Sequence, residues 1–279
     1  MIYVLCSGGL GNQMFQYAYM LHLKKAGKEV VLDTSFFKHM NIHSGYTLGK
    51  AFGIDGSDKT DHFTKLWKIR YSLMARKRSG KQGSIYMEQD ENFIDDTQIK
   101  KNAVLYGYWQ GEKFFQDVRD EVKSRFSFQN ISNIVLDAGK TISSEESVAV
   151  HIRRGDYLKN PKYVNLASSE YYKNALSIVR ERMSPLKVYV FSDDIAWCKE
   201  SGLFEAATYV DFTQEAYEDM YLMSKAKAII TANSSFSWWA GYLGNHEFVI
   251  RPEKYLNNWT KSQDDRLYPS EWIVGKFGG

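Results

Sequence analysis

Two hydrophobic rhythms run along this chain. Short, continuous apolar runs alternate with longer stretches whose apolar residues recur every third or fourth position. The first reads as buried strand and the second as amphipathic helix. Tyr3 to Leu5 is an apolar run, and Ser7 to Gly11 (SGGLG) is a turn. Met14, Ala18 and Leu21 then fall at helical spacing, Gly27 closes that helix, and Glu29 to Leu32 forms a second run ending at Asp33. A strand-helix-strand opening favours a parallel sheet. From Phe36 to Lys101 the pattern gives few strand signals. Order returns at Ala103 to Tyr108, a strand, followed by a predicted helix from Glu112 to about Arg125.

The second half alternates more cleanly. Strands are predicted at Val148–Ile152, Lys187–Phe191, Thr208–Asp211, Ala228–Thr231 and Phe248–Ile250. Between them lie a helical stripe of Tyr171, Tyr172, Ala175, Leu176, Val179 and Met183, a helix over Asp193–Glu200, a face of Tyr217, Met220, Tyr221 and Ser224, and a helix starting near Ser235. The expected fold class is therefore α/β, with two doubly wound, Rossmann-like units. The join falls loosely between Asn130 and Glu146, and the domains are taken as residues 1–138 and 139–279.

Composition narrows the field. A 279-residue chain can bury one large core or two modest ones. A net charge of +3 argues against a dedicated nucleic-acid binder. No apolar stretch approaches the ~20 residues that a membrane span needs, and no signal peptide precedes the first motif, so a cytoplasmic location is expected. Cys6 and Cys198 make no disulfide framework, and Cys6 reads as a small core residue. One segment stands apart. Lys65, Lys68, Arg70, Arg76, Lys77 and Arg78 interleave with Leu66, Trp67, Ile69, Leu73 and Met74. That basic amphipathic piece would suit the anionic inner face of a membrane, or serve as an ordinary solvated helix.

Ligands of open α/β sheets sit outside the carboxyl ends of the strands, and three polar clusters occupy that address. HIRRGDY (His151 to Tyr157) offers two guanidiniums at a strand end, suited to phosphate. Asp156 could orient Arg154 or accept a ligand hydroxyl, or form a surface ion pair with either arginine. FSDD (Phe191 to Asp194) could receive the N–H edge of a base, a ribose or a metal, or Ser192 or Asp193 could cap the next helix. TANSSFSWWAGYL (Thr231 to Leu243) brings a helix N-terminus, a seat for phosphate, with Ser234, Ser235 and Ser237 adding hydroxyls. Trp238 and Trp239 read as core filling.

The glycine turn SGGLGNQM invites a dinucleotide reading, with Gly9 and Gly11 as G-x-G and Asp33 as a ribose acid. Met14 stands where the third glycine would let helix and strand approach. That reading also leaves the later clusters unexplained. In the other reading the loop backbone and the Asn12 and Gln13 amides face an interdomain cleft.

Together these motifs resemble the bacterial α-1,2-fucosyltransferases, glycosyltransferase family 11. The resemblance rests on GGLGNQMFQYA (Gly8 to Ala18), YGYWQGEKFF (Tyr106 to Phe115), HIRRGDY, FSDD and NSSFSWWAGYL (Asn233 to Leu243), in order along most of the chain. It implies a GT-B fold, with an acceptor-side N-terminal domain and a C-terminal domain that binds GDP-fucose. It implies transfer of fucose, with inversion, to the 2-hydroxyl of a terminal galactose. No cofactor or metal is expected. By this resemblance Arg153 matches a diphosphate-binding arginine, with Arg154 beside it. His151 and Asp193 match guanine contacts, with Ser192 and Asp194 in the same loop. Asn233, Ser234, Ser235 and Phe236 fall on the phosphate-side loop, and Asn12 lies near the transferred sugar.

The residues agree on the metal. The chain has no Asp-x-Asp triplet of the kind that holds a cation in many sugar transferases. An arginine and a helix N-terminus can stabilise the leaving diphosphate instead. For the general base the candidates are Asp156, Glu112 and His22. Two other functions stay open: a GDP-sugar transferase of different linkage, such as an α-1,6-fucosyltransferase, and a non-catalytic nucleotide or glycan binder.

Overall fold

A computed structural model describes residues 1–40, 44–56, 81–82, 85–88 and 96–278. The basic piece from Lys65 to Arg78 lies outside the described residues. The chain divides into two compact units, Met1–Gln129 and Asn130–Gly279. The break therefore precedes the expected boundary at 138/139, which would cut through a helix (Asn133–Ser144). That helix belongs to the second unit for a physical reason. Glu218 receives hydrogen bonds from the Ser132 hydroxyl (2.7 Å) and backbone N–H (3.2 Å), and Gly139 lets Tyr221 pack against the helix backbone.

The first unit holds strands β1 (Ile2–Leu5), β2 (Val30–Asp33), β3 (Lys81–Gln82), β4 (Ile85–Met87) and β5 (Val104–Tyr106), in the order β2-β1-β5-β4-β3. Pairing is parallel except for the β3–β4 edge. Among the described residues the helices beside it are α1 (Leu10–Lys25), α2 (Phe36–His39), α3 (Leu48–Phe52) and α4 (Arg119–Arg125). The predicted stripe of Met14, Ala18 and Leu21 is buried, but so is most of the rest of α1. A helix wrapped on nearly every side loses the one-faced pattern by which helices are read. The helix predicted from Glu112 to Arg125 is broken. Two 3-10 turns (Glu112–Phe114 and Gln116–Val118) precede α4, because Phe115 leaves helical geometry (φ −145°) with its ring fully buried.

The second unit is the doubly wound sheet the pattern predicts. Its strands are β6 (Ser147–Ile152), β7 (Lys187–Ser192), β8 (Thr208–Tyr209), β9 (Ala228–Ile230), β10 (Phe248–Pro252) and β11 (Ile273–Gly275). Their order is β11-β10-β9-β6-β7-β8, all parallel. Its helices are α5 (Asn133–Ser144), α6 (Tyr171–Arg180), α7 (Ile195–Glu200), α8 (Ala216–Met223), α9 (Ser235–Leu243) and α10 (Lys261–Leu267). Every residue of β6 is buried, as a central strand covered on both faces requires. Leu176, Val179 and Tyr172 of α6 pack with Val148, Val150 and Ile230 in one core. Trp238 and Trp239 are buried as expected.

In each sheet the sequence order of the strands jumps at one pair of central neighbours, β1 and β5 in the first and β6 and β9 in the second. Loops leaving such a pair part company and open a crevice at the strand ends. The two crevices therefore mark where each unit can receive a ligand.

Candidate active site

The crevice between β6 and β9 gathers most of the residues expected to bind the donor. His151 is the next-to-last residue of β6, and its ring lies 5.4 Å from that of Phe236 in α9, so the two loops meet. The His151 ring is buried, and its Nδ1 has no hydrogen-bond partner. Burial, reinforced by the Arg153 charge, pushes its pKa down to about 3, so it is neutral at ordinary pH.

The two arginines are held, not free. Nε and one terminal nitrogen of Arg153 donate to the same Asp156 oxygen, at 3.1 and 2.6 Å, and the other terminal nitrogen lies 3.3 Å from Asp193 Oδ2. Arg154 donates from Nε to Asp194 Oδ2 (3.0 Å) and lays its guanidinium 3.6 Å from the centre of the Trp197 ring. Its backbone N–H donates to Asp193 Oδ1 (2.9 Å). Asp156 thus orients Arg153 and not Arg154, as the sequence had suggested. The reason is reach: Asp156 turns back within its own loop, while Arg154 crosses to the β7 loop.

Asp193 bridges both arginines, and Gly155 makes this close approach possible. A Cβ at position 155 would stand 2.5 Å from Asp193 Oδ2. Helix capping falls to Asp194, which accepts from the Trp197 N–H (3.2 Å), and not to Ser192 or Asp193. Ser192 instead accepts from the Asp194 N–H (3.0 Å), fixing the turn.

On the β9 side, Ser234 caps α9 by accepting from the Phe236 N–H (3.2 Å), and Ser235 opens the helix beside it. The Asn233 NH2 group is engaged within the protein. That amide is buried and donates to the carbonyls of Val164 (3.1 Å) and Tyr255 (3.0 Å), so it braces two loops around the crevice.

The first unit holds the other candidates. Asn12 lies in the first turn of α1, and its Oδ1 accepts from Gln110 Nε2 (2.8 Å). Gln13 does not face a cleft. It is fully buried, donates to the Gly8 and Gly45 carbonyls (2.9 Å each) and accepts from the Thr47 N–H (2.9 Å). Asp33, the would-be ribose acid, is also fully buried and accepts from the Ser35 N–H (2.9 Å), which removes the basis for the dinucleotide reading. Glu112 faces Arg119 at 3.4 Å. His22 sits between Asp96 (2.7 Å) and Asp117 (2.6 Å), and its hydrogen bond to Asp96, opposed by burial and helped by Asp117, raises its pKa.

Sequence reasoning missed two residues here. Gln16 accepts from the Ser7 N–H (2.9 Å) and donates to the Gly107 carbonyl (2.7 Å), tying the loops after β1 and β5 together. Glu88 accepts from the backbone N–H groups of Tyr108 (2.6 Å) and Trp109 (3.0 Å). The position of Gln16 inside a polar-apolar helix signature was a signal for the first. Nothing in the sequence around Glu88 marked the second.

Among the described residues, no three His, Cys, Asp or Glu side chains cluster in a way that would hold a metal ion. No described helix is long and apolar enough to cross a membrane.

The family described as Glycosyl transferase family 11 matches residues 82–275. An alpha-1,2-colitosyltransferase of Escherichia coli is 34% identical, over 96% of both chains. The mouse (Mus musculus) galactoside 2-alpha-L-fucosyltransferase Sec1 is 25% identical, over 98% of this chain and 73% of that protein. Among solved structures, the fucosyltransferase NodZ from Bradyrhizobium aligns with a TM-score of 0.49 at 13% identity, covering 87% of this chain and 93% of that one.

Proposed function

Since this chain belongs to glycosyl transferase family 11, we propose that it moves L-fucose from GDP-fucose to the 2-hydroxyl of a terminal galactose, with inversion. One observation carries this reading. Arg153 follows β6 and the N-terminus of α9 follows β9, the pair of strands at which the order of the second sheet jumps. A diphosphate leaving group needs such fixed positive charge and N–H dipoles.

In the proposed step the acceptor oxygen bonds to the anomeric carbon as the bond to the β-phosphate oxygen breaks. The electron pair leaves on GDP. Arg153 stabilises that growing charge once the diphosphate draws it from Asp156, and Arg154 holds the loop through Asp194 and Trp197. Buried and neutral, His151 offers its ring and not a charge beside the nucleotide. The acceptor proton passes to a carboxylate, Glu112 or Asp156. Asp156 can serve only after releasing Arg153, and Glu112, two residues beyond Gln110 in the first unit, only after turning from Arg119. The two-carboxylate clamp on His22 leaves that ring no nitrogen for an acceptor hydroxyl.

A second donor is favoured by the likeness to a colitosyltransferase. Colitose is fucose without its 3-hydroxyl, so the same anchoring of GDP would serve both. Incubation with each GDP-sugar and a panel of β-galactosides, with and without a chelator, tests the proposal. GDP release that needs both GDP-fucose and a β-galactoside, survives the chelator and yields an α-1,2 linkage is expected. Release only with GDP-colitose would move the donor assignment. Absolute dependence on a metal, or an α-1,6 product, would overturn the reading, and GDP binding without turnover would leave a binding protein.

A further inference from the structure

The crevice between β1 and β5 has its own chemistry. The loop after β5 runs Gly107-Tyr108-Trp109-Gln110-Gly111, and the loop after β1 leads into α1 and Asn12. Tyr108 is an exposed aromatic (38%), while its neighbour Trp109 is buried (1%) and stacked on Tyr19 at 4.7 Å. Trp109 takes a left-handed conformation (φ +48°), which a bulky side chain adopts at a cost. Glu88 holds it there by accepting both the Tyr108 and Trp109 N–H groups. The loop is thus built to bury one ring and turn the next one out.

Tyr108 does not stand alone. Gly8, at φ +79°, brings the β1 loop so near that a Cβ there would lie 3.4 Å from the Tyr108 ring and 2.8 Å from Asn12 Nδ2. Asn12 accepts from Gln110, and both side chains remain partly exposed. Their bond uses the Asn12 carbonyl and one Gln110 N–H. The Asn12 NH2 and the Gln110 carbonyl keep hydrogen-bonding capacity beside the ring.

We propose that Tyr108, with the Asn12–Gln110 amide pair, forms a platform for the acceptor glycan. One pyranose ring lays its C–H face on Tyr108, and its hydroxyls pair with the two amides. An aromatic face rimmed by uncharged donors and acceptors fits a neutral, hydroxyl-rich ring and offers no positive charge to a diphosphate. This assignment rests on the proposed transferase reading, since it is the acceptor that such a platform would hold.

The test separates acceptor from donor. Wild type, Tyr108→Phe, Tyr108→Leu and Tyr108→Ala are compared for KM toward lactose, for GDP affinity by calorimetry and for the saturation-transfer NMR signal of lactose. Tyr108→Phe keeps the wild-type lactose KM within a few-fold, whereas Tyr108→Leu and Tyr108→Ala raise it by about tenfold or more with GDP affinity unchanged. The lactose ring protons lose their saturation signal in the same two variants. A lactose KM and signal unmoved by the leucine and alanine variants would overturn the platform, as would an equal loss of GDP affinity. If wild type binds lactose through Tyr108 but neither binds GDP nor turns over, the platform stands and the transferase reading fails.

Discussion

The two crevices sit at equivalent places in their sheets and carry opposite chemistry. In the second unit, Arg153 and Arg154 leave β6 and pair with Asp156, Asp193 and Asp194, the last two from the loop after β7, while α9 opens after β9. Between β1 and β5 lie glycines, two amides and an exposed tyrosine, and the carboxylate of Glu88 is engaged with backbone N–H groups. The contrast teaches what a strand-order jump contributes. It supplies an opening, and the side chains of the departing loops decide whether the opening favours charge or neutral hydroxyls.

One histidine in each unit shows a similar division. His151 is buried without a partner for Nδ1 and kept neutral, so that no second cation sits beside Arg153. His22 is gripped by two carboxylates and favours its charged form. Protonation would strain the second unit and tighten the first.

The sharpest way to break the comparison is to remove the charge from the charged side. Arg153→Ala should lower turnover by about 100- to 1,000-fold or more, the usual scale for losing one transition-state donor. Arg153→Lys should restore little, because the paired geometry on Asp156 and Asp193 needs the guanidinium fork. Near-normal GDP release from Arg153→Ala would remove the second crevice from the chemistry.

The next effect belongs to the neutral side. Glu88→Ala, which removes the acceptor of both N–H groups, should cost about 1.5–3 kcal/mol of stability, the range for hydrogen bonds to a charged group. It should raise the acceptor KM while leaving GDP binding alone. An effect on GDP binding as large as that on the acceptor would mean that the crevices do not divide the labour.

A pH titration sharpens the division of the histidines. For His151 the folded pKa, about 3, lies below its ordinary value of about 6.5. Below pH ~6.5 the unfolded chain takes up a proton that the folded chain refuses, so stability falls by up to ~1.4 kcal/mol per pH unit on the way down to pH 3. Asp219 and Asp264, both raised by burial to about 6, pull the other way between their ordinary range and pH 6. Chemical denaturation of wild type and His151→Asn cancels those contributions. The variant should lose the acid slope that belongs to His151, and identical slopes would refute its neutrality.

A smaller effect is expected for the pair on His22. The stability due to its raised pKa is complete below about pH 6.5 and is lost as pH rises through the folded value. Asp117 is the more exposed carboxylate of the two, at 42%. Asp117→Asn should therefore cost at most about 1 kcal/mol at pH 5.5, and less at pH 9. An equal cost at both values would show that the contact is not electrostatic.

The second unit was far more legible in the sequence than the first. Its strands are apolar runs and α6 has one apolar face, so period alone located them. In the first unit α1 is buried almost all round and Phe115 interrupts a helical stretch, and both blur the periodicity. The three strand-end clusters were legible as clusters. Which carboxylate would take which arginine was not, because Asp193 and Asp194 come from 40 residues away along the chain, and the choice turns on Gly155 admitting Asp193. Gln13 looked like a ligand group because a polar side chain in a loop motif reads the same whether it faces outward or braces a neighbour. Glu88 left no trace, since its partners are backbone N–H groups twenty and more residues downstream.

The double engagement of Arg153 has a consequence for selectivity. With Asp156 and Asp193 as built-in counter-ions, the guanidinium can accept a newcomer only by exchanging partners. A lone phosphate or chloride must compete with two carboxylates that are already in place. Two linked phosphates, tethered by a nucleoside, arrive with a far higher local concentration. For a nucleoside diphosphate donor of the kind proposed, the acidic neighbours would act as a threshold, set against the abundant small anions and passed by the tethered one.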